Sequence, residues 1–93
     1  MNLVRTAALT AFALTALPAA AAEQMVTLAV ENMYCAACPH IVSKRLSRVE
    51  GVIGVIVSNK EKSATVTYDD AKASVTDLIK ATTDAGYPSS PKS

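Results

Sequence analysis

Tryptophan is absent from the 93 residues, and the single phenylalanine, Phe12, lies in the first 22; every other aromatic ring is a tyrosine, at Tyr34, Tyr68 and Tyr87. A core must therefore be built from Val, Ile, Leu and Ala. Cysteine is nearly as scarce, with Cys35 and Cys38 the only two. Two thiolate-capable residues fall short of the four protein ligands that structural zinc usually takes, which argues against a closed zinc site. Charge of one sign is missing as well. With Arg5 set aside, eight Lys and Arg stand against eight Asp and Glu from residue 23 onward, a net charge of zero with His40 neutral. No basic surplus exists to neutralise phosphates, and nucleic-acid binding is excluded as a main function. The 71 residues beyond the first 22 allow one small domain with a thin core, worth on the order of a few kcal/mol, and exclude a multi-domain enzyme.

The long apolar run that is present sits at the start. Met1-Asn2-Leu3-Val4-Arg5 supplies a short positive region, residues 6–17 an Ala- and Leu-rich stretch, and Pro18 breaks it before Ala19-Ala20-Ala21-Ala22. This is the pattern of a secretory signal peptide over residues 1–22, with cleavage expected after Ala22. As a membrane anchor the run is short, broken by Pro18 and followed by no basic stop-transfer cluster, so no stable membrane insertion is expected after cleavage. Export places both cysteines where disulfides are permitted.

From residue 23 the hydrophobic period changes several times. Val26, Leu28 and Val30 alternate as one face of a first strand over 26–30, and a loop over 31–37 follows. Over 38–49, Val42, Leu46 and Val49 fall at helical spacing with Ile41 widening the stripe, and Pro39 sits in the first turn, where its missing N–H costs nothing. Gly51 ends this helix. Residues 52–57 form a β-branched strand, 58–62 a turn, and Ala64, Val66 and Tyr68 the return strand of a hairpin. Ser74 is placed to cap a second helix, with Asp77 at the capping-box position, and Val75, Leu78, Ile79 and Thr82 give its apolar face before Gly86 stops it. Pro88 and Pro91 leave room for at most a short edge strand. The order β-α-β-β-α-β predicts an α+β, ferredoxin-like fold: a four-stranded antiparallel sheet with two helices on one face.

The chemistry lies in Met33-Tyr34-Cys35-Ala36-Ala37-Cys38-Pro39. Two thiols three residues apart, one on a loop and one opening a helix, can converge on one small ion, and the helix N-terminus favours their thiolate form. Two thiolates in a near-linear pair suit a soft ion, Hg(II) or Cu(I). A thioredoxin-type redox site would need its motif helix fed by a strand of a larger α/β sheet. Covalent haem attachment needs His directly after the second Cys, where Pro39 stands. A structural disulfide would close a loop of about four residues, adding on the order of 2 kcal/mol, and would join segments already adjacent; as an oxidised resting state it is compatible with the sequence.

A first strand running into Met33-x-Cys35-x-x-Cys38, with Val49-Glu50-Gly51-Val52 after the first helix and Ala85-Gly86-Tyr87 after the second, resembles the heavy-metal-associated domain. The likeness extends over residues 24–90. Cys35-Ala36-Ala37-Cys38-Pro39, Tyr68-Asp69-Asp70-Ala71-Lys72 and Asp84-Ala85-Gly86-Tyr87-Pro88-Ser89-Ser90, behind a cleavable leader, are similar to the periplasmic mercuric-ion-binding members of bacterial mercury resistance. The resemblance implies a domain over 23–93 that captures Hg(II) as cargo in the periplasm through Cys35 and Cys38. It further implies handover to an inner-membrane mercuric ion transporter, with no turnover by the chain itself, which is expected to act as a monomer. A periplasmic Cu(I) chaperone using the same thiolates is the nearest alternative, and a thiol–disulfide oxidoreductase a more distant one.

Three positions depart from the family pattern. Asn32 and Tyr34 stand where the loop usually has Gly and Thr, and Pro91 falls where the last strand usually continues. Asn tolerates positive φ, so the loop turn is expected to survive, whereas Tyr34 beside the first ligand bears on shielding of the ion and on docking. Cys35, on the loop, is the expected exchanging ligand and Cys38, on the helix, the anchor. Met33 fits core packing better than a thioether ligand for Cu(I). His40 is expected on the surface, and Lys44, Arg45 and Arg48 on a solvated helix face rather than a partner contact. Tyr87 is open between approaching the site and capping the core.

Overall fold

The computed structural model describes residues 22–92, so the signal-peptide reading of 1–22 falls, except for Ala22, outside the described residues. Six elements follow in the expected order: β1 (Glu23–Val30), α1 (Cys38–Ser47), β2 (Val52–Ser58), β3 (Ser63–Asp69), α2 (Val75–Asp84) and β4 (Ser89–Pro91). The strands lie in one sheet, β2-β3-β1-β4, and every neighbouring pair is antiparallel. β1 and β2 therefore run parallel with β3 between them, the split β-α-β arrangement of a ferredoxin-like fold. Among the described residues no helix is long and apolar enough to cross a membrane.

One face of the sheet carries the core. Leu28 and Val30 of β1 and Ala64, Val66 and Tyr68 of β3 meet Val42 and Leu46 of α1 and Leu78 of α2 in a single buried cluster. The opposite face is open, with Met25, Ile53 and Ile56 exposed. Thr82 is the fully buried polar side chain of α2, and its hydroxyl is satisfied by the Ile79 carbonyl at 3.1 Å and the Ser89 hydroxyl at 2.6 Å. That pair ties α2 to β4.

Element ends differ from the periodicity for identifiable reasons. β1 begins three residues before Val26 because Glu23, Gln24 and Met25 pair with Asp69, Tyr68 and Thr67 through their backbones while their own side chains stay exposed. Ladder pairing needs no apolar side chain, so alternation cannot reveal it. α1 stops at Ser47 rather than Val49: the Arg48 and Val49 N–H groups donate to Arg45 and Leu46 carbonyls, a tightening to three-residue spacing. Gly51 follows at φ +99°, where a Cβ would lie 2.8 Å from the Lys72 Cβ, so both the backbone and the close approach require glycine.

The second helix is capped at both ends as its sequence indicates. The Ser74 hydroxyl accepts from the Asp77 N–H at 3.2 Å and the Asp77 carboxylate accepts from the Ser74 N–H at 3.0 Å, so Asp closes the box despite its shorter side chain. At the other end Gly86 adopts φ +99°, the Gly86 N–H donates to the Thr83 carbonyl and the Tyr87 N–H to the Thr82 carbonyl. This Schellman turn drives Tyr87 into the core cluster. β4 has three residues; Pro91 pairs opposite Leu28 at the sheet edge, and the Lys92 N–H resumes bonding to the Thr27 carbonyl at 2.7 Å.

Candidate metal centre

The loop between β1 and α1 is built from several separate ties. Asn32 takes φ +68°, the left-handed conformation its sequence position suggested, and its side-chain amide donates to the Gly86 carbonyl at 3.1 Å. The Glu31 N–H donates to the Pro88 carbonyl at 2.8 Å, so the loop entrance is fastened to the turn that follows α2. Met33 is fully buried in the core cluster. Its thioether is core packing, and it anchors the loop to the core.

The two cysteines occupy different environments. Cys38 is the first residue of α1 and is 4% exposed, part of the core cluster, whereas Cys35 lies on the exposed loop. They are joined as a disulfide, their Cα atoms 5.2 Å apart. The Cys35 N–H donates to the Cys38 sulfur at 3.2 Å. Ala37, the N-cap residue, offers no side-chain acceptor to the first turn, and no acidic residue stands there. The positive end of α1 is therefore left for sulfur, which favours thiolate charge on both residues once the bond is reduced.

Around the pair the structure sorts the remaining sequence expectations. His40 is exposed, as are Lys44 and Arg45 of α1 and Arg48 beyond its end. Tyr87 is 9% exposed and caps the core. Among the described residues no group of three or more His, Cys, Asp or Glu side chains gathers to hold a metal. The chemistry available is that of a Cys-x-x-Cys pair, joined here as a disulfide at a helix N-terminus, with one sulfur buried in the core and the other residue on the exposed loop.

Lys62 is the site neighbour that sequence reasoning did not find. From the end of the β2–β3 turn its ammonium donates to the Met33 carbonyl at 2.6 Å and lies 5.5 Å from the centre of the Tyr34 ring. A lysine in a polar hairpin turn ordinarily points to water, and nothing in the local sequence signals this reach. Its positive φ of +53° is a property of the turn that only the fold reveals.

Comparison with known proteins places the chain among relatives. The heavy-metal-associated domain family matches residues 27–88. A mercuric transport protein periplasmic component of Shigella flexneri is 58% identical over 82 residues, covering 88% of this chain and 90% of that protein. The crystal structure of oxidized MerP from Ralstonia metallidurans CH34 superposes with a TM-score of 0.76 at 57% identity, covering 77% of this chain and all of that one. The mercury-bound form of MerP, the periplasmic protein from the bacterial mercury detoxification system, gives 0.69 at 61% identity over the same shares. The CopZ metallochaperone also gives 0.69, at 31% identity, covering 72% of this chain and all of that one.

Proposed function

The chain belongs to the heavy-metal-associated domain family, and on that premise we propose that it is a periplasmic carrier of mercuric ion. The leader over 1–22 is removed after Ala22, leaving 23–93 as the metal-binding domain. Cys35 and Cys38, reduced, hold one Hg(II) between two thiolates. The observation that carries this reading is the contrast within the pair: a buried Cys38 at an uncapped helix N-terminus and an exposed Cys35 on the loop. Likeness above 50% identity to a mercuric transport protein periplasmic component and to a mercury-bound structure supports the choice of cargo.

The reaction is binding and exchange, without turnover of substrate. The disulfide takes up two electrons and two protons from a dithiol donor, which is itself oxidised to a disulfide, to give two thiols. Hg(II) then displaces both protons and forms two Hg–S bonds, leaving a neutral complex because two thiolate charges cancel the ion. A thiolate of an inner-membrane mercuric ion transporter adds to the ion, giving a transient three-coordinate state, and Cys35 leaves first as a thiolate; a second transporter thiolate then displaces Cys38 in the same way. Cys38, held by its burial, is the last contact. The metal is never free, and a monomer suffices.

Cu(I) fits the same two sulfurs, and the likeness to CopZ keeps that cargo as the second reading. Native mass spectrometry of the reduced domain, offered Hg(II) and Cu(I) in separate samples with excess glutathione, separates the two. The expected result is a surviving 1:1 Hg(II) complex with copper stripped. Retention of Cu(I) and loss of Hg(II) would reassign the cargo, and retention of neither would leave dithiol redox chemistry as the function.

A further inference from the structure

Lys62 grips the metal loop at two points. Its backbone carbonyl accepts the N–H of Val30, the last residue of β1, at 2.9 Å, and its ammonium donates to the carbonyl of Met33 at 2.6 Å. These contacts bracket the first turn of the loop, and the second lies two residues before Cys35. The same ammonium stands 5.5 Å from the ring centre of Tyr34, the residue between Met33 and Cys35, and 3.5 Å from the Asn59 side-chain oxygen. Tyr34 is 83% exposed, so packing does not hold its ring; the cation beneath it is its visible partner.

We propose that Lys62 is a positioning residue that clamps the loop arm bearing Cys35 and, together with Tyr34, sets how fast that cysteine swings away from Cys38. The proposal deepens the carrier reading, since it rests on Cys35 being the exchanging ligand. Cys38 is buried in the core and Met33 is pinned by its side chain, so the arm that can swing is the exposed stretch between them, residues 34–37, which carries Cys35. Swinging that arm out rotates the Met33 carbonyl and carries off the Tyr34 ring. Both movements break contacts with the Lys62 ammonium, one a charge-assisted hydrogen bond and the other a cation–π contact. The clamp therefore slows release and capture alike while leaving the two-sulfur complex itself unchanged. A loop with threonine at the Tyr34 position lacks the ring half of the clamp.

The test uses two rates on the fully reduced domain. The first is alkylation of Cys35 by iodoacetamide, followed by mass spectrometry and taken at the plateau where both thiols are ionised, so that it reports access rather than thiolate fraction. The second is transfer of Hg(II) from the loaded domain to a small dithiol, followed by stopped-flow ultraviolet absorption. Lys62→Met is expected to raise both rates about three- to tenfold and Tyr34→Thr about two- to threefold. Lys62→Arg restores near-native rates because it keeps the donor and the cation. Circular dichroism establishes that each variant is folded. Rates within twofold of the parent in a folded Lys62→Met domain would overturn the clamp, and so would slower alkylation. Should the parent hold no Hg(II), the carrier reading fails, and the alkylation rates alone still decide the clamp.

Discussion

Replacing either cysteine with serine is expected to abolish the Hg(II) complex that survives excess glutathione, while the two variants differ in stability. A hydroxyl is a poor ligand for a soft ion, and a single remaining thiolate competes with glutathione on equal terms rather than as a chelate. The difference in stability follows from burial. Cys35 lies on the exposed loop, so Cys35→Ser under reducing conditions changes unfolding free energy by less than about 0.5 kcal/mol. Cys38 is 4% exposed and belongs to the core cluster, so Cys38→Ser places a hydroxyl among apolar groups and costs about 1–2 kcal/mol. Urea unfolding of both reduced variants, with metal content measured after gel filtration in glutathione, reads both effects. Tight 1:1 binding by either variant would remove the two-thiolate site.

Leu46→Ala is expected to cost about 2–5 kcal/mol and to leave the domain largely unfolded at 37 °C. Leu46 is fully buried on α1, one helical turn beyond Val42, and packs in the cluster that joins both helices to the sheet. A domain of this size has on the order of 3–5 kcal/mol in all, so one cavity consumes most of it. Because α1 also carries Cys38, loss of this packing removes the fixed sulfur's support although no ligand is touched. Thermal unfolding followed by circular dichroism measures the loss. Saturating Hg(II) is expected to recover part of it, since a ligand bound only to the folded form stabilises that form by mass action. A melting temperature within a few degrees of the parent would contradict the placement of Leu46 in the core.

Much of this was legible before the fold. Val26, Leu28 and Val30, the spacing of Val42 and Leu46, and the Ser74–Asp77 box each announce an element through a local rule, and each element forms where that rule puts it. Asn32 was readable for the same reason, because tolerance of positive φ is a property of the residue itself. What stayed hidden depends on contacts between distant segments. The first residues of β1 pair through backbone alone, and the end of α1 is set by a tightened turn leading to Gly51. The fate of Tyr87 was decided by the turn at Gly86, which carries the ring inward. Within the site, the two sulfurs are a sequence motif, but the Lys62 contacts join residues 29 apart in the chain and 28 apart at Tyr34. No period or spacing encodes such a meeting; it exists because the β2–β3 turn and the metal loop emerge at the same end of the sheet.

Coordination of one Hg(II) by Cys35 and Cys38 with no third ligand is tested by X-ray absorption spectroscopy at the mercury edge. The sample is the reduced domain loaded with one equivalent of Hg(II) in the absence of competing thiols. Two sulfur neighbours at a single short distance, with no nitrogen or oxygen shell, are the predicted result. Three or four ligands, or a nitrogen from His40, would contradict it and would require a partner chain or a rearranged loop in the binding site.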